Sequence, residues 1–250
     1  MRPSLSRLPL LAALTLALAG PAHAADAPGA VYALTNSPAG NAVVVYDRGA
    51  DGSLTPAGTL ARGGAGTRAR LGLQGAGIRS YDHRFLFAVN AGSDSVSSFR
   101  IRPSGLELID TAPSGGDMPT SVAFHSGLLY VLNAGVPNSV SGLLVSRDGR
   151  LTPIPGSTRP LSGPATAPAQ VGFSDDGATL VVTERATNLV DTYGVGDDGL
   201  LTGPFSYPSA GPTPFGFAID RRGTLFVSEA GAGGGASTYC LGDAAALEPK

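Results

Sequence analysis

The sequence has 250 residues, of which 36 are glycine and 20 are proline, while 42% are hydrophobic. This composition is typical of a turn-rich chain, and the short β-type runs of its apolar residues argue against disorder. The formal net charge is −2 with no basic block, which excludes the charge signature of a protein that binds nucleic acid or an anionic membrane. Cys240 is the single cysteine, so no internal disulfide framework can form.

The first 24 residues have the three parts of a secretory signal peptide. Arg2 and Arg7 give a positive start, Leu8–Leu18 is an apolar run too short to span a bilayer, and Ala22-His23-Ala24 supplies a small–x–small cleavage site. Gly20-Pro21 ends the apolar run early, which argues against a retained membrane anchor. We therefore predict residues 1–24 as a signal peptide cleaved after Ala24. The mature chain, 25–250, is predicted to be secreted or periplasmic, without membrane association after cleavage.

A strand-like pattern recurs five times, each copy being an apolar run that ends in a polar residue. The copies are Val31–Asn36, Leu86–Asn90, Leu129–Asn133, Leu180–Glu184 and Leu225–Glu229. Their closing residues are spaced by 54, 43, 51 and 45 positions. A period of this size predicts a repeat architecture.

Two further markers recur in phase with the first. Asp-Gly, the strongest short hairpin signal, is found at Asp51-Gly52, Asp148-Gly149 and Asp198-Gly199. The second marker, a short apolar run that leads into a turn before the strand pattern, is found at Val171-Gly172-Phe173, Val122-Ala123-Phe124 and Phe217-Ala218-Ile219. Each unit thus reads strand, turn, strand, loop, strand, turn, strand, which is the content of one propeller blade. Residues 25–250 contain no 10- to 15-residue amphipathic pattern, which argues against a helical solenoid.

We therefore predict an all-β fold, a β-propeller of four-stranded antiparallel blades with about five repeats over residues 25–250. The first unit begins at its second strand, near Gly29, and the fifth reaches Lys250 as its last strand should begin. The favoured interpretation is an incomplete propeller, because open blade edges would leave backbone groups unpaired. A closed five-bladed ring is the alternative.

The strand motif Leu129-Tyr130-Val131-Leu132-Asn133 and the Asp-Gly-x-Leu-Thr-Pro turns resemble the lactonase family of seven-bladed propellers. That family includes bacterial 6-phosphogluconolactonases and fungal carboxymuconate-cyclizing enzymes, and it overlaps with YVTN-repeat proteins. The resemblance covers about residues 29–250. It implies a full complement of seven blades, two or so of them after Lys250, and a small-molecule lactone as the substrate class.

Antiparallel pairing places the start of each first strand beside the end of the second strand. Gln170 and Glu184 are therefore expected to be neighbours at one mouth of the central channel, and Ser121, Asn90, Asn133 and Glu229 are expected at the same mouth. Glu184, Glu229 and Gln170 are the candidate catalytic residues, because two carboxylates with pKa values pushed apart can act as general acid and base. Asn90, Asn133 and Ser121 are the candidate ligand-binding residues.

A structural role for these residues is the alternative, since polar side chains that close strands often cap local backbone groups. His125 and His83 are predicted to lie in turns. The sequence contains no metal-ligand spacing and no cofactor motif followed by a suitable element, so neither a metal nor a cofactor is predicted. We expect a monomer that binds a small molecule and no nucleic acid.

Comparison with the resembled family also shows which of its site residues are present in this sequence. Phosphogluconolactonase-like members carry Gly-Pro-Arg-His at the start of a first strand, followed by a strand ending in Asn-Glu. The matching stretches here are Ala167-Pro168-Ala169-Gln170 and Thr183-Glu184, so the Glu is kept and the Arg-His pair is missing. Two hypotheses follow. The first is an exported lactone hydrolase, and the second is a propeller that binds a small molecule, glycan or protein without chemistry.

Overall fold

The computed structural model describes residues 29–61, 63–69, 71–72 and 74–250. The predicted signal peptide lies outside these residues. Within them, twenty strands form five antiparallel sheets that follow one another along the chain. The predicted all-β fold with four-stranded blades is confirmed, and a 3-10 turn at Asp243–Ala245 adds to the strands.

In the residues that the structure describes, the first sheet has three strands and the second has four. The first comprises β1 (Gly29–Leu34), β2 (Ala42–Arg48) and β3 (Leu54–Ala61). The second comprises β4 (Gly77–Arg79), β5 (Phe85–Asn90), β6 (Ser95–Arg102) and β7 (Gly105–Pro113). Strand β1 corresponds to β5 in the repeat, so the first sheet begins at its second strand, as the repeat pattern predicts.

The remaining three sheets repeat the same order. The third has β8 (Pro119–His125), β9 (Leu128–Asn133), β10 (Ser139–Val145) and β11 (Leu151–Pro153), with β12 (Arg159–Pro160) paired to β10. The fourth has β13 (Pro168–Phe173), β14 (Thr179–Glu184), β15 (Leu189–Val195) and β16 (Leu201–Pro208). The fifth has β17 (Pro214–Ile219), β18 (Thr224–Glu229), β19 (Gly235–Leu241) and β20 (Leu247–Pro249).

The second strands of the middle sheets are buried on both faces. Every residue of β5 and of β14 is buried. Such strands read as continuous apolar runs because each sheet is covered by a neighbour on either side. This explains why the repeat is most visible in the sequence at its second strand.

The core is divided into four apolar clusters, each of which lies between consecutive sheets. Phe87 and Leu129 meet between the second and third sheets, and Leu132 and Leu180 between the third and fourth. None of the clusters formed by the described residues joins the fifth sheet to the first. The sheets therefore depend on nearest neighbours for burial of their apolar faces.

Hairpin turns add contacts between the sheets. The Tyr130 hydroxyl donates a 2.8 Å hydrogen bond to the carbonyl of Gly199, 69 residues away in the fourth sheet. Gly149, at φ +92°, lies against the ring of Phe85, and a Cβ at this position would be 2.5 Å from Cε1 of that ring. The Asp-Gly turns thus close hairpins and also seal the contact with the adjacent sheet.

In the part of the chain that the structure describes, no helix is long and apolar enough to cross a membrane.

Candidate functional site

The first strands of the second to fifth sheets, β4, β8, β13 and β17, line a central channel that is open to solvent. This cavity has a volume of about 570 Å³. Gly75 and Gln170 line it near the starts of these strands, while Tyr81, His125 and Asp175 line it near their ends. Most of the wall between the two ends consists of apolar side chains and backbone, which is typical of a small-molecule pocket.

Gln170 bridges two of the inner strands. Its Oε1 accepts a 3.0 Å hydrogen bond from the Phe217 backbone N–H, and its Nε2 donates to the Phe217 carbonyl at 2.9 Å. Ser121 makes a similar link, since its buried Oγ accepts from the Val171 backbone N–H at 3.2 Å. Both predicted site residues therefore hold neighbouring inner strands together at the predicted mouth of the channel.

The four polar residues that end β5, β9, β14 and β18 lie inside their own sheets. Asn90, Asn133, Glu184 and Glu229 are all buried. Asn90 donates to the Ser97 hydroxyl and Asn133 to the Ser141 hydroxyl, both at 2.9 Å. In the fifth sheet the Ser237 hydroxyl donates to Glu229 at 2.5 Å. The same contact, from the end of the second strand to the third strand, thus recurs in successive sheets.

A glycine of the preceding loop covers this contact in three sheets. A Cβ at Gly64 would be 2.4 Å from Cγ of Asn90, one at Gly116 would be 2.8 Å from Cγ of Asn133, and one at Gly211 would be 2.7 Å from Cγ of Glu229. These distances leave no space for a side chain. The strand-end residues are therefore closed off from solvent by backbone at this end of the sheets.

The fourth sheet departs from this pattern, because a serine covers its strand end. The backbone N–H of the exposed Ser162 donates to both Glu184 Oε1 and Asp191 Oδ2, each at 3.0 Å. The Ser162 hydroxyl donates to Glu184 Oε2 at 2.5 Å. Here a predicted catalytic carboxylate contacts a hydroxyl group at the protein surface.

Asp191 occupies the position that serine holds in the other sheets, and it is fully buried beside the fully buried Glu184. The pKa of Asp191 is raised from 3.8 to about 7. Burial is the largest cause, and the hydrogen bond with Glu184 is the second. Asp191 Oδ1 accepts from the Ser206 hydroxyl at 2.6 Å, and Glu184 also accepts from the Thr187 hydroxyl at 2.5 Å. The pair is therefore arranged to hold one proton, because two adjacent buried carboxylates resist double ionisation.

Glu184 and Glu229 are not brought together as a pair. Each is bonded at its own strand end, Glu184 to Ser162 and Thr187, and Glu229 Oε1 accepts from the hydroxyls of Ser209 and Ser237. Glu229 Oε2 is buried and has no hydrogen-bond partner among the described residues. The catalytic role predicted for these residues and for Gln170, and the binding role predicted for Asn90, Asn133 and Ser121, stay predictions.

Sequence reasoning did not identify Asp191 or Ser162. Aligning the third strands would have revealed Asp191, since this repeat has an acidic residue where Ser97 and Ser141 stand in the repeats before it. The sequence predicts a turn at His125, but this residue is the last of β8 and lines the channel. Its ring centroid is 5.8 Å from that of Phe173.

Among the described residues, no group of three or more His, Cys, Asp or Glu side chains is placed to hold a metal ion.

The model of the family described as lactonase, seven-bladed β-propeller, matches residues 12–155, more than half of the chain. The chain belongs to this lactonase family. Comparison of the sequence with curated proteins found no significant match. The family match agrees with the resemblance given by the strand and turn motifs.

Solved structures support the same fold for this lactonase-family chain. A Bacteroides fragilis protein described as a candidate 6-phosphogluconolactonase aligns with TM-score 0.67 and 20% identity over 83% of this chain. A Lactobacillus plantarum protein aligns with TM-score 0.71 and 21% identity, covering 88% of this chain and 67% of its own. The periplasmic gluconolactonase of Pseudomonas aeruginosa aligns with TM-score 0.67 and 19% identity over 88% of this chain.

The chain spans 63% of the length of the Bacteroides fragilis structure and 64% of that of the Pseudomonas aeruginosa structure. At these identities the likeness concerns the fold.

Proposed function

We propose that this lactonase-family chain is an exported lactone hydrolase that binds a small lactone in the central channel. The supporting observation is the channel itself, a cavity of about 570 Å³ with Gln170 near one end, His125 and Asp175 near the other, and a mixture of apolar side chains and backbone between them. A lactone has an apolar ring and a polar ester group, and a cavity with few polar groups at its ends suits that combination.

In this proposal the polar groups of the channel position the ester and the attacking water. Hydrolysis of a lactone requires water to add to the carbonyl carbon while a base takes up its proton, after which the ring C–O bond breaks and the protonated base returns a proton to the departing ring oxygen. Histidine is the side chain that most often takes this role, and His125 is the histidine on the channel wall. Glu184 is fully buried and does not line the channel, so in this proposal it acts only indirectly, through its hydrogen bonds with Ser162 and Thr187.

The test is hydrolysis of a sugar lactone and of an aliphatic lactone by the purified protein, measured as the release of acid. His125→Asn should lower turnover by about 10²- to 10⁴-fold, the contribution typical of a general base. His83→Asn is the matched control, because His83 is exposed in a turn at φ +61° and does not line the channel. Equal turnover in the two histidine variants would show that His125 does not act in the reaction. Glu184→Gln, measured in the same assay, tests the role of the Glu184 carboxylate.

The second candidate function is binding without hydrolysis. Two observations favour it: Glu184 and Glu229 are buried within their sheets, and both polar atoms of the Gln170 amide are bonded to Phe217. Ala169 and Gln170 also stand where phosphogluconolactonase-like members carry Arg and His. Saturable lactone binding without turnover, from a protein that melts cooperatively, would support this function over the first.

Export rests on the sequence of residues 1–24, with its positive start, short apolar run and Ala22-His23-Ala24. The similar fold of a periplasmic gluconolactonase supports the same compartment. We expect protein recovered from outside the cytoplasm to begin at Ala25, which N-terminal sequencing or intact mass would show. A chain that retains Met1 after export to the cell surface or medium would contradict cleavage.

A further inference from the structure

Three arginines line a second cavity, a shallow one open at the surface, which lies away from the channel between the second and third sheets. Arg84, Arg100 and Arg147 line it together with Ile101 and Asp148, and its volume is about 440 Å³. None of the three arginines lines the channel. They come from two sheets, since Arg84 precedes β5, Arg100 lies in β6, and Arg147 lies in the turn after β10.

Two of these guanidinium groups are held in place by the same aromatic ring. The Cζ atom of Arg84 is 5.2 Å from the centroid of the Phe85 ring, and that of Arg100 is 6.0 Å from it. Arg84 also donates to the carbonyl of Arg147 at 3.1 Å, and Arg100 donates to the carbonyl of Asp148 at 2.8 Å. Each contact uses one donor of a group that has five, so further N–H groups remain for a ligand.

The nearby carboxylates are bonded within their own turns. Asp148 accepts from the Ser146 hydroxyl and lies 3.3 Å from Arg150, and the Ser146 hydrogen bond lowers the pKa of Asp148. Asp82 accepts from the Ser80 hydroxyl and lies 3.7 Å from Arg84. Among the described residues, neither Arg100 nor Arg147 lies within salt-bridge distance of an acidic side chain. The cavity is thus locally basic in a chain whose formal net charge is −2.

We propose that Arg84, Arg100 and Arg147 form an oxyanion-binding site for a phosphate or sulfate ester group of a small ligand. Planar guanidinium groups match the paired oxygens of such groups, and arginines that approach from two sheets can contact several oxygens of one tetrahedral anion. Because aromatic and backbone contacts already fix two of the side chains, little side-chain entropy is lost on binding. The site would bind an ester whose remaining part extends over the exposed edge of the two sheets.

The site is tested by titrating inorganic phosphate, inorganic sulfate and acetate into the full chain in about 100 mM NaCl, where long-range attraction between exposed charges is largely screened. Calorimetry gives affinity, and the Nε–H signals of the arginines in NMR spectra give location. We expect saturable binding of phosphate or sulfate, and the stronger of the two identifies the ester. Acetate, with one charge and two oxygens, should bind much more weakly.

Arg100→Gln and Arg147→Gln should each weaken binding by about tenfold or more, the effect of losing a charge-assisted hydrogen bond. Arg222→Gln removes the same charge from an exposed position in the fifth sheet and should leave affinity unchanged. Unaltered melting temperatures will show that the variants are folded. Non-saturable binding, equal binding of acetate, or equal losses in all three variants would overturn the site.

Discussion

Replacing Leu180 with alanine should lower the free energy of unfolding by about 2–5 kcal/mol, the range measured for leucine truncation in well-packed cores. Leu180 is fully buried in the cluster between the third and fourth sheets, where Leu132 and Tyr193 are also fully buried. The cluster is formed by strands of two hydrogen-bonded sheets, whose backbones cannot easily move together. The resulting cavity should therefore collapse only partly, which is the condition for a large loss.

Leu144→Ala is the matched control, because Leu144 also lies in a strand but is 52% exposed. Its substitution should change the unfolding free energy by no more than about 0.5 kcal/mol. Urea denaturation of the three proteins, followed by circular dichroism, measures both effects. Similar losses of unfolding free energy in the two variants would show that the cluster between the third and fourth sheets is not a rigid core.

The second large effect is a dependence of stability on pH that arises from Asp191. Its pKa in the folded protein is about 7, above the ordinary value of 3.8. A group whose pKa rises on folding contributes stability that is fully present below the unfolded pKa and is lost as pH rises through the folded value. The free energy of unfolding should therefore fall by about 2–3 kcal/mol between pH 5 and pH 8, at about 1.4 kcal/mol for each pH unit below the folded pKa.

Asp191→Asn should remove most of this slope. The amide cannot ionise, its oxygen can accept from the Ser162 N–H in place of Oδ2, and its NH₂ group in place of Oδ1 can donate to the Ser206 hydroxyl oxygen, so both contacts are kept with the second one reversed. Asp197→Asn is the control, because Asp197 is exposed in the turn that follows β15. Urea denaturation at several pH values between about 5 and 8, the window set by the raised pKa, measures the slopes. A slope that survives in Asp191→Asn would assign the effect to other groups.

The fold could be predicted from the sequence because the repeat is strongest where burial is greatest. Second strands such as Leu129–Asn133 are covered on both faces, so they stay apolar along their whole length, and Asp-Gly marks the hairpins between strands. First strands are less regular, since they face the channel on one side. The three-residue β4 and its link to the first sheet are correspondingly the least visible in the sequence.

The candidate site could be predicted less completely, for a reason of side-chain direction. Antiparallel pairing predicts that the start of β13 lies beside the end of β14, but an irregularity in the register places Pro168 opposite Glu184 and Gln170 opposite Thr183. Pairing does not say whether the Glu184 side chain points to the channel or into the sheet. The direction of this side chain depends on the serine or aspartate of the next strand and on the loop that covers the strand end. In the fourth sheet that loop residue, Ser162, is 22 residues from Glu184 and 29 residues from Asp191 in the sequence.

The seal between Phe85 and Gly149 also limits how the repeats can diverge. A Cβ at Gly52, where φ is +82°, would meet no neighbouring side chain or backbone within 4 Å. Substitution of Gly52 by asparagine would therefore cost only backbone strain. At Gly149 the same replacement would meet the ring of Phe85 whatever the new residue's backbone preference. Turns that face a neighbouring sheet are therefore under two independent constraints, and mutational tolerance among the repeats should be lowest at those turns.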